Sequence, residues 1–130
     1  MKLPLTLLCS LTLCCSLALA ADVPAKGTKV LKHVVLYKFR DDLPPEQLQE
    51  VLDAFSALPS KVDTIIGFEK GMNTSQEGKS EGLTHCFVVT FRDEAGLQAY
   101  IKHPAHDAYV AIVRGKREKV IVFDYWSEVK

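Results

Sequence analysis

Residues 84–91 read Thr84-His85-Cys86-Phe87-Val88-Val89-Thr90-Phe91, and residues 100–106 read Tyr100-Ile101-Lys102-His103-Pro104-Ala105-His106. The first run is rich in β-branched and aromatic residues, which favours a strand. Asp93 can cap a helix that continues to Tyr100, and Pro104 interrupts this helix, so the second run is an elbow between helical segments. Two of the four histidines of the chain lie in this elbow. We therefore expect a strand, a helix and a histidine-bearing elbow in succession.

The segments before these runs also alternate between strand and helix. Residues 30–39 are β-rich and carry apolar side chains at both odd and even positions, which indicates a strand covered on both faces. A helix follows, in which apolar residues recur at helical spacing until Pro59 stops it: Leu48, Val51, Leu52, Phe55 and Leu58. A second strand is predicted over 62–68, and a polar connection over 71–82 leads to the third strand, over 83–91.

The segments after the elbow complete the fold. A further helix is predicted over 105–114 and a last strand over 119–126. The order β-α-β-β-α-β is that of a ferredoxin-like sheet in an α+β protein, with helices on one face only. The other face carries an apolar set made of Val30, Val34, Leu36, Cys86 and Val88. Since a bare apolar face needs a cover, we predict a homodimer formed through this sheet face.

The N-terminal region is typical of a secretory signal. Residues 1–20 combine Lys2, an apolar core and a small-residue cleavage site, so they are predicted to be a signal peptide, with a flexible leader over 21–29 and the domain over 30–127. The mature protein is expected to be exported, to the periplasm or outside the cell, without stable membrane insertion. Cys86 then remains as the single cysteine, and one acidic charge is in excess. This charge balance indicates no nucleic-acid partner.

The strand parity predicts where a site would lie. His33 shares a face with Val35 and Tyr37, and His85 shares one with Phe87, because alternate strand residues point the same way. If these faces point towards the helices, the elbow passes over them. The predicted catalytic pair is Tyr100 and His106, since an imidazole can take a carbon-bound proton while a phenol donates to the developing oxyanion. The predicted ligand-binding residues are His33, Val35, Tyr37, Phe55, His85, Phe87, His103 and Tyr109.

Structural roles for these histidines are an open alternative. Histidines in small α+β domains often bond backbone carbonyls or cap helices, and His103 before Pro104 can hold the geometry of the elbow. No metal site is predicted, because His103 and His106 are separated by a proline and do not match the two-histidine helical pattern of zinc enzymes. No cofactor is predicted either, since the chain has no glycine-rich phosphate loop before a helix.

The sequence resembles the stress-responsive A/B barrel domain (Dabb) family. The matching motifs span residues 30–126: His33-Val34-Val35-Leu36-Tyr37-Lys38-Phe39, Glu81-Gly82-Leu83-Thr84-His85, Val89-Thr90-Phe91, the elbow, and Val122-Phe123-Asp124-Tyr125. The family implies a ferredoxin-like domain whose dimer packs sheet on sheet into an α/β barrel. In a polyketide cyclase branch of the family, a tyrosine and a histidine matching Tyr100 and His106 are catalytic. That branch has a phenol at Phe55 and an indole at Arg117, so a differently shaped pocket is expected here.

Three functional interpretations follow. The preferred one is an exported A/B barrel protein that binds a small apolar ligand in a pocket lined by histidine and tyrosine. The first alternative is a cofactor-independent lyase or cyclase that uses Tyr100 and His106 for aldol-type chemistry. The second alternative is a dimeric assembly module without a pocket. Binding is preferred to the cyclase interpretation because export and the changed pocket residues argue against a shared substrate.

Overall fold

The computed structural model describes residues 24–128. The predicted signal peptide and the first residues of the predicted leader lie outside the described residues. The elements are strand β1 (Lys29–Phe39), helix α1 (Pro45–Ser56), a 3-10 turn (Leu58–Ser60), strands β2 (Ile65–Met72) and β3 (His85–Phe91), helices α2 (Glu94–Ile101) and α3 (Pro104–Val113), and strand β4 (Arg117–Glu128).

The four strands form one sheet in the order β2-β3-β1-β4, and each neighbouring pair is antiparallel. This confirms the predicted ferredoxin-like α+β fold, with its second helical segment divided in two at the elbow. Among the described residues, no helix has the length and apolar character needed to cross a membrane.

The second strand begins later than its sequence suggests. Val62 was expected to open it, but the backbone N–H of Val62 donates to the carbonyl of Leu58 at 3.0 Å, and Val62 is buried at the end of the 3-10 turn. The strand starts at Ile65 and extends to Met72, which pairs with His85 on β3. The apolar residues at 62 and 65 therefore serve two different elements, a distinction that local periodicity cannot make.

The helices begin where the sequence provides caps. The Asp93 carboxylate accepts a hydrogen bond from the backbone N–H of Gly96 at 2.8 Å and so caps α2. Nδ1 of His103 accepts a hydrogen bond from the backbone N–H of Ala105 at 3.0 Å, and Pro104 occupies the first turn of α3. The elbow therefore consists of the end of α2, an imidazole cap and the start of α3.

The core lies between the helices and one face of the sheet. Odd-numbered residues of β1 and β3 share this face, as their register requires: Val35 pairs with Phe87, and His33 with Val89. Phe55 of α1 stacks on Phe87 with a centroid separation of 4.1 Å. Because β1 and β4 pair in the register His33 with Asp124, even-numbered residues of β4 also point to the helix side.

The opposite sheet face, which we call the open face, is covered by none of the helices that the structure describes over residues 24–128. According to the strand register, its apolar residues are Val34, Leu36, Cys86, Val88, Ile121, Phe123 and Tyr125, and the Lys32–Glu69 ion pair and Thr90 lie on the same face. Phe123 and Tyr125 are 61% and 41% exposed. Val30, which the sequence placed in this set, has the same parity but is buried within the chain. The open face is thus a broad apolar surface.

Candidate functional site

A cavity of about 320 Å³ lies between the helices and the β1–β4 half of the sheet. Its walls come from both strands, from α1, from the elbow and from α3. The lining residues are His33, Val35, Tyr37, Phe55, Tyr100, Ile101, His106, Tyr109, Val110, Arg117, Val120 and Val122. Most of these side chains are apolar or aromatic, as is usual for a small-molecule pocket.

Tyr100 presents its hydroxyl to this cavity. Its side chain is 1% exposed, yet no residue within 24–128 forms a hydrogen bond with its Oη. Over the same residues, no fully buried side-chain oxygen or nitrogen lacks a partner, so the Tyr100 Oη must reach the accessible surface of the cavity. Burial raises the pKa of Tyr100 well above its ordinary value. The phenol therefore stays protonated and is available as a hydrogen-bond donor.

His106 lies beside Tyr100, with 4.6 Å between the ring centroids. Its Nδ1 is 3.1 Å from the carbonyl oxygen of Ile101. A carbonyl only accepts, so Nδ1 carries the proton, and in the neutral ring Nε2 is left with a free lone pair. Burial lowers the pKa of His106, an effect partly opposed by the Ile101 hydrogen bond. A neutral imidazole that can accept a proton thus adjoins a phenol that can donate a hydrogen bond.

His33 forms the neighbouring wall of the cavity and is oriented by a carboxylate. Its Nδ1 lies 2.6 Å from Oδ1 of Asp124, and its ring meets the Tyr100 ring edge-on at 5.8 Å between centroids. The carboxylate fixes the tautomer that has the proton on Nδ1. Asp124 was not among the predicted site residues. Its proximity depends on the β1–β4 register, which the sequence does not reveal.

Two tyrosines and an arginine form the other end of the cavity. The Tyr109 hydroxyl donates to the Tyr37 hydroxyl at 3.0 Å, and burial raises the pKa of Tyr109. The guanidinium carbon of Arg117 lies 5.9 Å from the centroid of the Tyr37 ring, within cation–π range. From the sequence, Arg117 could be recognised only as a difference from the cyclase branch. An isolated arginine at the start of a strand has no local pattern that indicates a binding role.

The remaining predicted site residues lie elsewhere. His85 bonds Thr84 through Nδ1 at 2.8 Å and lines a second cavity, of about 400 Å³, under the connection between β2 and β3. Phe87 is 1% exposed and packs in the core against Phe55. His103 caps α3, so it has the structural role that the sequence suggested as an alternative to ligand binding. The elbow and strand histidines that line the first cavity together are therefore His33 and His106.

The described part of the chain, residues 24–128, contains no cluster of three or more histidine, cysteine, aspartate or glutamate side chains that could hold a metal ion. The chemistry available in the first cavity from these side chains is proton transfer and hydrogen bonding. His106 can accept a proton, Tyr100 can stabilise a negatively charged oxygen, and the apolar wall favours an uncharged organic body.

The pKa of His106 gives a prediction for stability against pH. Because burial disfavours the charged imidazole in the folded state, the unfolded chain binds more protons once the pH falls below the ordinary histidine value of 6.5. We expect the free energy of unfolding to decrease as the pH falls from about 6.5 to about 5. His106→Gln should reduce this slope, as measured by urea denaturation at several pH values. An unchanged slope would show that His106 titrates alike in both states.

The fold and this cavity define a ferredoxin-like α+β domain with a pocket lined by aromatic and histidine side chains. A family model described as "Stress responsive A/B Barrel Domain" matches residues 31–127. The chain therefore belongs to the stress-responsive A/B barrel domain family, as its motifs indicated.

Three relatives illustrate this membership. The chain is similar to stress-response A/B barrel domain-containing protein HS1 of Arabidopsis thaliana, with 36% identity over 78% of this chain and 91% of the relative. It is 33% identical to olivetolic acid cyclase of Cannabis sativa, over 73% and 94% of the two chains. A crystal structure from Bacteroides fragilis, described as a dimeric protein of unknown function with a ferredoxin-like fold, matches with a TM-score of 0.60 and 31% identity, over 74% and 94%.

Proposed function

We propose that this protein is a homodimer that binds a small, largely apolar organic molecule in the cavity under the elbow. The observation that carries this proposal is the Tyr100 hydroxyl, which reaches the cavity and has no hydrogen-bond partner among residues 24–128. Because this hydroxyl is accessible from the cavity, a ligand oxygen that accepts its hydrogen bond would take the place of solvent and contribute about 0.5–1.5 kcal/mol.

The composition of the cavity sets the kind of ligand. Valine and aromatic side chains make up most of its wall, and a volume of about 320 Å³ is near the lower end of the range for small-molecule pockets. The polar groups fall into two sets, with His33, Tyr100 and His106 at one end and Tyr37, Tyr109 and Arg117 at the other. A ligand with an apolar body and a hydrogen-bond acceptor, such as a carbonyl, suits this arrangement.

The open face supports the homodimer. It exposes Phe123 and Tyr125 on a sheet surface to which the described chain brings no helix. The relative from Bacteroides fragilis is described as dimeric. A second copy that places its own open face against this one would bury both apolar surfaces at once, which is the usual solution for a self-complementary patch.

A second candidate function is a cofactor-independent lyase or cyclase. It is favoured by the tautomer of His106, which leaves Nε2 free to accept a proton next to the protonated phenol of Tyr100. One relative at 33% identity is named as a cyclase. In this scheme, Nε2 removes a carbon-bound proton from the ligand while the Tyr100 hydroxyl donates to the carbonyl oxygen that gains charge. Turnover that His106→Gln abolishes, with binding retained, would favour this candidate.

Export remains part of the proposal. It is supported by the charged start, apolar core and small-residue cleavage site of residues 1–20. Intact-mass analysis of the protein from an exported fraction should give a chain that begins at Ala21. A chain in the cytosol that still begins at Met1 would contradict export and leave the pocket proposal unaffected.

The Tyr100→Phe variant provides the test of binding. It removes one hydroxyl and should weaken binding of acetophenone, whose carbonyl can accept from Tyr100, by about tenfold, which is the value of one hydrogen bond. Binding of ethylbenzene, which has a similar size and no acceptor, should not change. Both can be measured by displacement of the fluorescent probe 1-aminoanthracene.

The two elbow histidines provide a matched control for the same assay. His106→Gln changes the cavity wall and should weaken acetophenone binding, whereas His103→Asn keeps a capping side chain and should bind as the wild type does. If the wild type binds neither compound, or if Tyr100→Phe binds acetophenone unchanged, the ligand-binding proposal is wrong. The first of these outcomes would favour an assembly module without a functional pocket.

A further inference from the structure

We propose that the pocket selects ligands that carry a carboxylate, which Arg117 binds at the end of the cavity away from Tyr100 and His106. This inference rests on the proposed function, since it assigns a ligand class to the same cavity. It would make the ligand an organic acid with an apolar body, and Arg117 the residue that determines this specificity.

No carboxylate of the described residues neutralises the charge of Arg117. Within residues 24–128, its guanidinium forms no ion pair and no hydrogen bond with a carboxylate. Its neighbours in sequence differ in this respect: Lys116 pairs with Glu50, Glu118 with Lys38, and Lys119 with Glu81. An arginine is always protonated in a protein. One permanent cation therefore lies half-buried at a cavity whose lining contains no aspartate or glutamate.

The geometry of Arg117 suits a carboxylate. Its guanidinium lies over the Tyr37 ring, with 5.9 Å from its central carbon to the centroid, and an aromatic face restricts where the charged group can move. The planar fork of guanidinium N–H groups matches the two oxygens of a carboxylate, a bidentate contact that an ammonium cannot make. In a mostly apolar cavity this pairing is worth more than it would be in water.

The two ends of the cavity are far enough apart for a ligand to span them. His33, which contacts the Tyr100 ring, and Tyr37, which contacts Arg117, are four positions apart on β1. At the rise of a strand this spacing is roughly 13 Å along β1, which forms one wall of the cavity. The wall between the two polar ends includes Val35 and Val122, which pair with each other in register. A carboxylate at Arg117 thus leaves an apolar body to extend towards Tyr100 and His106.

The test compares 4-phenylbutyrate with its amide, 4-phenylbutyramide, by isothermal titration calorimetry at fixed ionic strength. The two probes have nearly the same shape and differ in charge. The wild type should bind the carboxylate at least about tenfold more tightly than the amide, since a hydrogen bond between two charged groups is stronger than one to a neutral amide. Arg117→Gln should bind both equally, and Arg117→Lys should retain part of the preference.

Arg114→Gln is the matched control, because Arg114 is exposed at the end of α3 and does not line the cavity. This variant should keep the full preference of the wild type. Equal binding of the two probes by the wild type, or a preference that persists in Arg117→Gln, would overturn the inference while the pocket itself stands. Failure of the wild type to bind 4-phenylbutyrate, 4-phenylbutyramide and acetophenone alike would overturn both the inference and the proposed function.

Discussion

Replacement of Phe55 by alanine is expected to lower the free energy of unfolding by about 3–5 kcal/mol. Phe55 is 1% exposed and stacks on Phe87 at 4.1 Å between centroids, and its ring also meets that of Tyr109 at 4.6 Å. It joins α1, the sheet and α3, so its removal deprives three elements of a shared contact. This loss is a large part of the free energy of unfolding of a typical domain, which is about 5–15 kcal/mol.

Urea denaturation followed by circular dichroism measures this loss directly. Leu52→Ala is the matched control, because Leu52 lies on the same helix but is half-buried, and it should cost clearly less. If Phe55→Ala costs no more than Leu52→Ala, the aromatic cluster does not hold the core together as we describe. Loss of folding in Phe55→Ala would agree with the upper end of the expected cost.

Replacement of Phe123 by aspartate is expected to dissociate the homodimer. Phe123 is 61% exposed on the open face, on the edge strand β4, and pairs in register with Val34 of the neighbouring strand β1. In a dimer that buries this face, the new carboxylate would lose its water without gaining a partner. Such an unpaired buried charge costs about 3–5 kcal/mol, so the dissociation constant should rise by roughly 100-fold or more.

Light scattering coupled to size-exclusion chromatography gives the subunit number of this variant. Gln98→Asp adds the same charge at an exposed position on α2, on the helix side of the sheet, and should remain dimeric. A Phe123→Asp protein that stays dimeric at low micromolar concentration would show that the subunits associate through another surface. A wild-type monomer would contradict the homodimer outright.

Much of the fold follows from local patterns in the sequence. The alternation of side chains along β1 and β3 identifies the residues that face the helices, because successive residues of a strand point to opposite faces of the sheet. Asp93 and Pro104 mark the starts of α2 and α3, since each acts within a few residues of itself. The apolar residues at the even positions of these strands predict the open face.

The candidate site was only partly predictable, since its geometry depends on non-local register. Tyr100 and His106 are close in sequence, so the elbow alone suggests that they are neighbours. The contact of Asp124 with His33 and the position of Arg117 over Tyr37 depend on how β4 pairs with β1. His85 has the correct parity, yet it lies at the start of β3, beyond the reach of the elbow.

Native mass spectrometry of the protein purified from the exported fraction, without added ligand, tests the central claim most directly. It reports the number of subunits and any bound mass in one spectrum. We predict a dimer that carries a small organic mass, which Tyr100→Phe retains less well. A bare chain or a bare dimer, unchanged after addition of acetophenone or 4-phenylbutyrate, would contradict the claim that the cavity under the elbow is a ligand-binding site.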